Sequence, residues 1–220
     1  MLKFEVHTIR FGDAWWVTEL GETLDAWCAK HGYPLEVWDR EKFEGPYPSV
    51  KFCFIDMLHR FIAGDSDWMA YVDADVYVHP NTPAPPLHQW RGIMTRGDAL
   101  NPRKFRRWVR SKFGERAVPK IPLWWHNRNA GVWFIDRESA GTLLSVIAKP
   151  YHRGMQEQHH FNLWLIQAQQ KGLLIAELPE QWNTWWKRKG TDCFHHIAGR
   201  HKRERWAHAQ RLNVGETIRT

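Results

Sequence analysis

An α/β sandwich around one mostly parallel central sheet is the fold this sequence predicts, and three observations predict it. Short strand-like runs alternate with stretches of helical spacing, the pattern that sets parallel strands side by side under covering helices. The chain has 220 residues, 43% of them hydrophobic, which suits a single domain spanning 1–220 with a sizeable core. One apolar run, Trp68–Val72, stops abruptly at two carboxylates, and open α/β sheets present ligands at such carboxyl edges.

Each element has its own signal. Phe4–Ile9 alternates as a strand and meets a turn at Gly12 and Asp13. Leu20, Leu24, Trp27 and Cys28 keep helical spacing, and Gly32 closes that helix after the basic pair Lys30 and His31. Leu35–Trp38 is a second short strand, followed by a loop at Gly45–Pro48. Ser49 is placed to cap a helix in which Phe54, Met57, Leu58, Phe61 and Ile62 recur at three and four residues. Residues 79–128 are rich in proline and basic side chains and read as an excursion from the main sheet. Gly131–Ile135 is a strand, Glu138–Lys149 a helix stopped by Pro150, and Gln158–Lys171 a helix ended by Gly172. Leu173–Leu178 is the last strand, and a polar, basic tail over 190–220 follows.

Charge is divided unevenly. Residues 1–90 hold 7 Lys/Arg against 14 Asp/Glu, whereas 91–220 hold 24 against 10. Such asymmetry speaks of partners rather than of fold. Two runs carry much of it, Arg103–Arg110 and Lys187–Arg205. Each reads either as a solvated face or as a surface for an anionic partner such as nucleic acid or a phosphorylated glycan. Fifteen tryptophans interleave with these charges; most suit core or cleft walls, and some suit stacking on sugar or base rings. No apolar stretch is long enough to span a membrane. The three cysteines are widely spaced, which suits buried thiols, argues against a thiolate zinc site and fits a cytoplasmic setting.

Four short segments hold the residues that carry chemistry. Asp73 and Asp75 stand two apart at a strand end, and carboxylates without thiolates suit Mn²⁺ or Mg²⁺. Asp65 and Asp67 share that spacing but precede the strand and read as turn residues. His195 and His196 lead into Gly199 and Lys202. A histidine there would complete an O,O,N metal shell, the glycine would let backbone approach phosphate, and the lysine would supply a point cation. Read alone, such a histidine pair in a basic tail is more often surface. Asn129–Val132 precedes a strand and reads as a turn or as a ligand-binding entry. Glu157, Gln158 and Asn162 stand at a helix start, where an acidic first turn is also favoured by the helix dipole.

In this order the four segments resemble the nucleotide-sugar glycosyltransferases of the GT-A (Rossmann-like) fold, most closely glycosyltransferase family 8. Asp73–Asp75 looks like that family's Asp-x-Asp strand end and Asn129–Val132 like its Asn-Ala-Gly-Val entry. Glu157, Gln158 and Asn162 resemble its Asp-Gln-x-x-x-Asn helix, with Glu157 in place of the usual Asp and His159 where a second Asp is common. His196, Gly199 and Lys202 match its His-x-x-Gly-x-x-Lys tail, although Arg203 follows in place of Pro-Trp. Thr8, and more loosely Asp13, stand for the amino-terminal nucleotide-binding segment, and Lys51 takes the place of a basic residue before the Asp-x-Asp strand.

The resemblance implies a metal-dependent hexosyltransferase-like enzyme. Asp73, Asp75 and His196 would hold Mn²⁺ (or Mg²⁺), which acts as a Lewis acid on the departing diphosphate of a UDP-sugar. Lys202 and Gly199 would share the phosphate charge, and Asn129, Glu157 and Gln158 would hydrogen-bond the donor sugar. Transfer would retain anomeric configuration, by a front-face route with Gln158 near the reacting carbon or with Glu157 as nucleophile. The surplus of basic residues suggests an anionic acceptor, either DNA with a hydroxylated base of the kind phages make or a phosphorylated glycan. Two rival classes are a non-catalytic nucleic-acid-binding protein and a metal-dependent phosphoesterase.

Overall fold

The structure, a computed structural model, describes residues 2–39, 50–97, 103, 105–107, 109–111, 125–147, 157–185, 193–197, 202–204 and 206–207, with backbone alone at 50, 51 and 185. The Gly45–Pro48 loop, the Ser49 cap, Pro150, Gly199 and most of 187–201 lie outside these residues.

Along the chain run β1 (Phe4–Ile9), α1 (Trp15–His31), β2 (Leu35–Trp38), α2 (Phe54–Ala63), β3 (Trp68–Val72), β4 (Val76–Val78) and β5 (Ile93–Gly97). Then come β6 (Arg128–Asp136), α3 (Arg137–Leu144), α4 (Glu157–Gln170), β7 (Ile175–Glu177), β8 (Thr184–Trp185) and β9 (Phe194–His196). Six strands form the central sheet in the order β2-β1-β3-β6-β5-β7. Only β6 runs against the others: it pairs antiparallel with β3 and β5, while β1–β2, β1–β3 and β5–β7 are parallel. The expected α/β sandwich with a mostly parallel sheet is therefore the fold observed.

Strand periodicity divides the core between the two faces of this sheet. Met69 and Tyr71 of β3, with Trp133 and Ile135 of β6, pack among α2, α3 and α4. Trp68, Ala70 and Val72, with Val132 and Phe134, face α1 and a second, three-stranded sheet of order β4-β9-β8. Strands buried on both faces read as continuous apolar runs, which is why Trp68–Val72 was so plain in the sequence.

The helices follow from local chemistry. α1 buries Leu20, Leu24, Trp27 and Cys28 and ends where Gly32 turns left-handed, with φ 68°. α3 is capped by Asp136, which accepts from the Ser139 N–H at 2.8 Å and, through its other oxygen, from the Gly92 N–H at 2.6 Å. One side chain thus starts a helix and ties the entry of β5 to the end of β6.

Four expectations need correction. Residues 79–128 are not one excursion, because 93–97 return as β5 between β6 and β7. That return depends on Gly92, whose φ of +76° leads into the strand and whose missing Cβ would lie 2.2 Å from the Leu174 carbonyl oxygen. The Asn129–Val132 segment is no turn but lies inside β6, which is longer than expected. His195 and His196 are not surface residues; they form β9 with Phe194, and all three are buried. The last sheet strand is shorter than the expected 173–178. Among the described residues no helix is long and apolar enough to cross a membrane.

Candidate active site

The site forms where the two sheets meet. β3 ends at Val72, the chain turns through Asp73 and Asp75, and β4 opens the small sheet. The turn is pinned by backbone bonds: Asp73 N–H donates to the Gly131 carbonyl at 2.7 Å, Val76 N–H to the Asp73 carbonyl at 3.1 Å, and Ile197 N–H to the Asp75 carbonyl at 2.8 Å. Antiparallel pairing of β4 with β9 sets His196 opposite Val76. Residues more than a hundred positions apart in sequence therefore share one corner.

There the His196 Nε2 lies 2.9 Å from Asp75 Oδ1 and 3.9 Å from Asp73 Oδ2. One ligand atom from each of Asp73, Asp75 and His196 falls within 4.8 Å of the others. The other Asp75 oxygen accepts from Lys202 Nζ at 2.5 Å, and Asp73 Oδ1 accepts from the Tyr71 hydroxyl at 2.5 Å. Gly131 makes room for this cluster. A Cβ there would stand 2.6 Å from both Asp73 Oδ2 and His196 Cε1.

Electrostatics separate the two carboxylates. Burial first, and then the Asp75 charge, push the Asp73 carboxyl up to about 6 against the opposing pull of His196 and Tyr71. Its side chain keeps 38% of its surface open, so solvent softens that push. Burial would raise Asp75 as well, but His196 and Lys202 outweigh it and hold its carboxyl well below the usual range. Burial would lower His196, and the two aspartates reverse that, leaving it above its ordinary value. Burial, reinforced by Asp73, keeps the Tyr71 phenol protonated and hence a donor. Two acids, an imidazole and an ammonium crowded into one corner form a charge-poised oxygen and nitrogen donor set that a divalent cation fits.

An open cleft of about 290 Å³ runs along this corner. Asp73, Asp75, His196 and Lys202 line it together with Glu157 and Gln158 from the first turn of α4. Phe54, Tyr71, Trp133 and Phe161 add aromatic surface, and Ile9, Phe11 and Trp16 extend the lining to the end of β1 and the start of α1. Trp133 stacks on Tyr71 and Phe161 with ring centres 5.5 and 5.6 Å apart. Lys202 Nζ sits 4.3 Å from the Trp16 ring centre, Arg203 lies over Trp15, and the Trp206 indole donates to Glu19. These contacts dock Lys202, Arg203 and Trp206 on α1. They set Lys202 against the cleft, while Arg203 stays exposed.

Not every expected residue reaches the cleft. Thr8 is fully buried in β1, and Ile9 takes the place at the lining. Asn129 is not among the lining residues either. Its Oδ1 accepts from the Gly131 N–H at 2.8 Å and from the Asn183 amide at 3.0 Å, so it braces the glycine beneath Asp73. Asn162 is fully buried; it accepts from the Arg128 N–H at 2.6 Å and donates to the Arg128 carbonyl at 2.8 Å, strapping α4 to the start of β6. The Lys51 backbone lies in the 3₁₀ turn before α2, while its side chain and Gly199 fall outside the described residues. Asp65 and Asp67 serve the turn before β3, Asp67 accepting from the Lys3 N–H at 2.7 Å and Asp65 pairing with the Lys3 ammonium.

Tyr71, Gly131, Asn183 and Trp16 were missed as functional residues. Tyr71 had a signal, since it stands two before Asp73 and so on the same strand face. Gly131 lay within a noted segment, but its close approach is a tertiary fact. Asn183 and Trp16 gave none.

No family model matches the chain, and no curated protein matches its sequence. Solved structures do match it. A glycosyltransferase involved in the glycosylation of the major capsid of PBCV-1 superposes with a TM-score of 0.62 at 15% identity, covering 94% of this chain and 98% of that one. LgtC, a galactosyltransferase solved with donor and acceptor sugar analogues, gives 0.56 at 12% identity, covering 97% of both chains. A Drosophila β-1,4-galactosyltransferase 7 mutant, solved with manganese, UDP-Gal and xylobiose, gives 0.52 at 16% identity, covering 100% of this chain and 82% of that one. The protein has the fold of the GT-A glycosyltransferases.

Proposed function

We propose that the protein is a metal-dependent glycosyltransferase that moves a sugar from a nucleotide-sugar donor, a UDP-sugar, to an anionic acceptor with retention of configuration. The observation that carries this reading is the Asp73, Asp75 and His196 donor set, which shares one cleft with Lys202, Glu157 and Gln158. The fold supports it, as do the manganese and UDP-Gal of the Drosophila structure.

Asp73, Asp75 and His196 would hold Mn²⁺ or Mg²⁺, and the bound cation would supply Lewis-acid stabilisation of the leaving diphosphate. Lys202 adds a cation for the same growing charge once it leaves Asp75. Ile9, Phe11 and Trp16 offer an apolar seat for the nucleobase, and Glu157 and Gln158 offer the hydrogen bonds that orient the sugar. In transfer the bond from anomeric carbon to diphosphate oxygen breaks, the acceptor hydroxyl oxygen bonds that carbon, and the hydroxyl proton passes to the departing diphosphate. With Glu157 as nucleophile, retention follows from two displacements; with Gln158 beside the carbon, the acceptor enters on the face the diphosphate leaves. For the acceptor, the exposed arginines 103, 107 and 110 lie at helical spacing. They continue the basic surplus of residues 91–220 and suit a hydroxylated-base nucleic acid or a phosphorylated glycan. Three buried cysteines, none of them in a disulfide, suit the reducing cytoplasm where we place this reaction.

Release of nucleoside diphosphate from a panel of nucleotide sugars, with Mn²⁺ and with chelator, tests the reading. One donor should turn over only with metal, and Asp75→Ala should abolish that turnover while the protein still melts cooperatively. Release of phosphate from sugar-free esters would favour the phosphoesterase instead. Undiminished turnover in Asp75→Ala would remove the metal assignment.

A further inference from the structure

We propose that Tyr71 is a positioning residue for the metal site: its hydroxyl holds one oxygen of Asp73 so that the other faces His196 and Asp75. The inference rests on the metal reading of Asp73, Asp75 and His196.

The two oxygens of Asp73 have different surroundings. Oδ1 accepts from the Tyr71 hydroxyl at 2.5 Å, whereas Oδ2 stands 3.9 Å from His196 Nε2. A carboxylate beside a second carboxylate lowers its energy by rotating or by swinging toward solvent, and Asp73 has solvent on one side. A fixed donor on Oδ1 opposes both motions. Tyr71 suits that task because it is itself immobile. It is 6% exposed, sits in β3 directly opposite Trp133 of β6, and stacks on that indole with centres 5.5 Å apart. Gly131 guards the other side, since the space where its Cβ would stand is occupied by Asp73 Oδ2. Partners that orient metal-ligating carboxylates from behind typically change metal affinity about 10–100-fold when removed.

Tyr71→Phe deletes the hydroxyl and keeps the ring that packs on Trp133. Mn²⁺ is titrated into metal-free wild-type and variant protein by calorimetry, with no donor present. The expected result is Mn²⁺ binding weakened about 10–100-fold, alongside a metal-free melting temperature still well above the titration temperature. The same substitution in an Asp73→Asn background should add no further loss, because Tyr71 acts through Asp73. Equal affinity of wild type and Tyr71→Phe overturns the proposal, as does an equal further loss in the Asp73→Asn background, which marks a merely structural role. Should the variant melt too low to titrate, 3-fluorotyrosine at position 71 strengthens the donated hydrogen bond and keeps the packing; an unchanged Mn²⁺ affinity then overturns the proposal. Wild type that binds no Mn²⁺ sinks the metal reading instead, so the two failures are distinct.

Discussion

Gly131→Ala changes one hydrogen to a methyl, yet it is the substitution that should bear hardest on the site. The added Cβ would lie 2.6 Å from Asp73 Oδ2 and from His196 Cε1, where ordinary contact begins near 3.4 Å. Both groups would have to retreat by about 0.8 Å, the difference of those two distances. Metal sites tolerate ligand displacements of only about 0.2 Å, so Mn²⁺ affinity should fall more than a hundredfold. The fold should suffer far less. Overpacking costs about 1–3 kcal/mol, offset by the roughly 0.5–1 kcal/mol that strand alanine gains over glycine, and the backbone at 131 is not left-handed. A chain of this size shifts its Tm by about 2–4 °C per kcal/mol, so the metal-free variant should melt only a few degrees low. Wild type at a hundred times its Kd for Mn²⁺ gains about 2.7 kcal/mol, or about 5–10 °C, and the variant should gain less than about 0.4 kcal/mol, or under about 2 °C. Gly141→Ala is the matched control. That glycine lies in α3 with nothing within 4 Å of an added Cβ, so the metal-free Tm should rise by roughly 1–4 °C with the Mn²⁺ shift intact. A Gly131→Ala protein that binds Mn²⁺ as wild type does would refute the geometry argued for the cluster.

Two further outcomes follow from the charges around the cleft. Asp73 is pushed up to about 6 and His196 lies above its ordinary value, so as pH falls His196 takes up its proton first and Asp73 follows near 6, and a cation must displace both. Mn²⁺ affinity should therefore be highest above neutrality and drop more than tenfold between about pH 7 and 5.5, since each displaced proton contributes up to about tenfold per pH unit; a flat calorimetric profile would contradict this. Lys202→Gln should move two affinities in opposite directions. Freed of the ammonium at 2.5 Å, Asp75 should bind Mn²⁺ alone more tightly, whereas nucleoside diphosphate with Mn²⁺ should bind about 10–100-fold more weakly, the worth of a charge-assisted hydrogen bond. Both are read by titration, and a parallel loss of the two would mean that Lys202 only props the fold.

The central sheet was largely legible because most of its strands are long or buried enough to leave a pattern. Phe4–Ile9, Leu35–Trp38 and Trp68–Val72 lie where their alternation or apolar runs placed them. The small sheet left no such trace. Its strands have three, two and three residues, too few to show a period of two, and β4 finds its partner β9 more than a hundred positions away. β5 was hidden for a different reason. Its short run of Ile93, Met94 and Thr95 is flanked by prolines and basic residues, and only the close approach of Gly92 to Leu174 makes the strand entry intelligible. A polar tail with two histidines reads as surface until β4 supplies the pairing that buries them.

The site divides in the same way. Asp73 and Asp75 were identifiable from position alone, as carboxylates at the edge of an apolar strand. What sequence reading left open was the division of labour among the polar residues behind them. Asn129 and Asn162 stood in noted segments, and each braces backbone, at Gly131 and Arg128, while also bonding a neighbouring side chain, Asn183 and Trp125. Gly131 in turn accepts from the Asp73 N–H and makes room for its carboxylate, while His196 closes on Asp75 from β9. The four short segments therefore meet at one corner: Gly131 touches Asp73, His196 touches Asp75, and Glu157 and Gln158 line the same cleft. A surface charge run carries no such mutual constraint. That is why the order of the segments along the chain located the corner, and why the basic runs alone leave the acceptor to experiment.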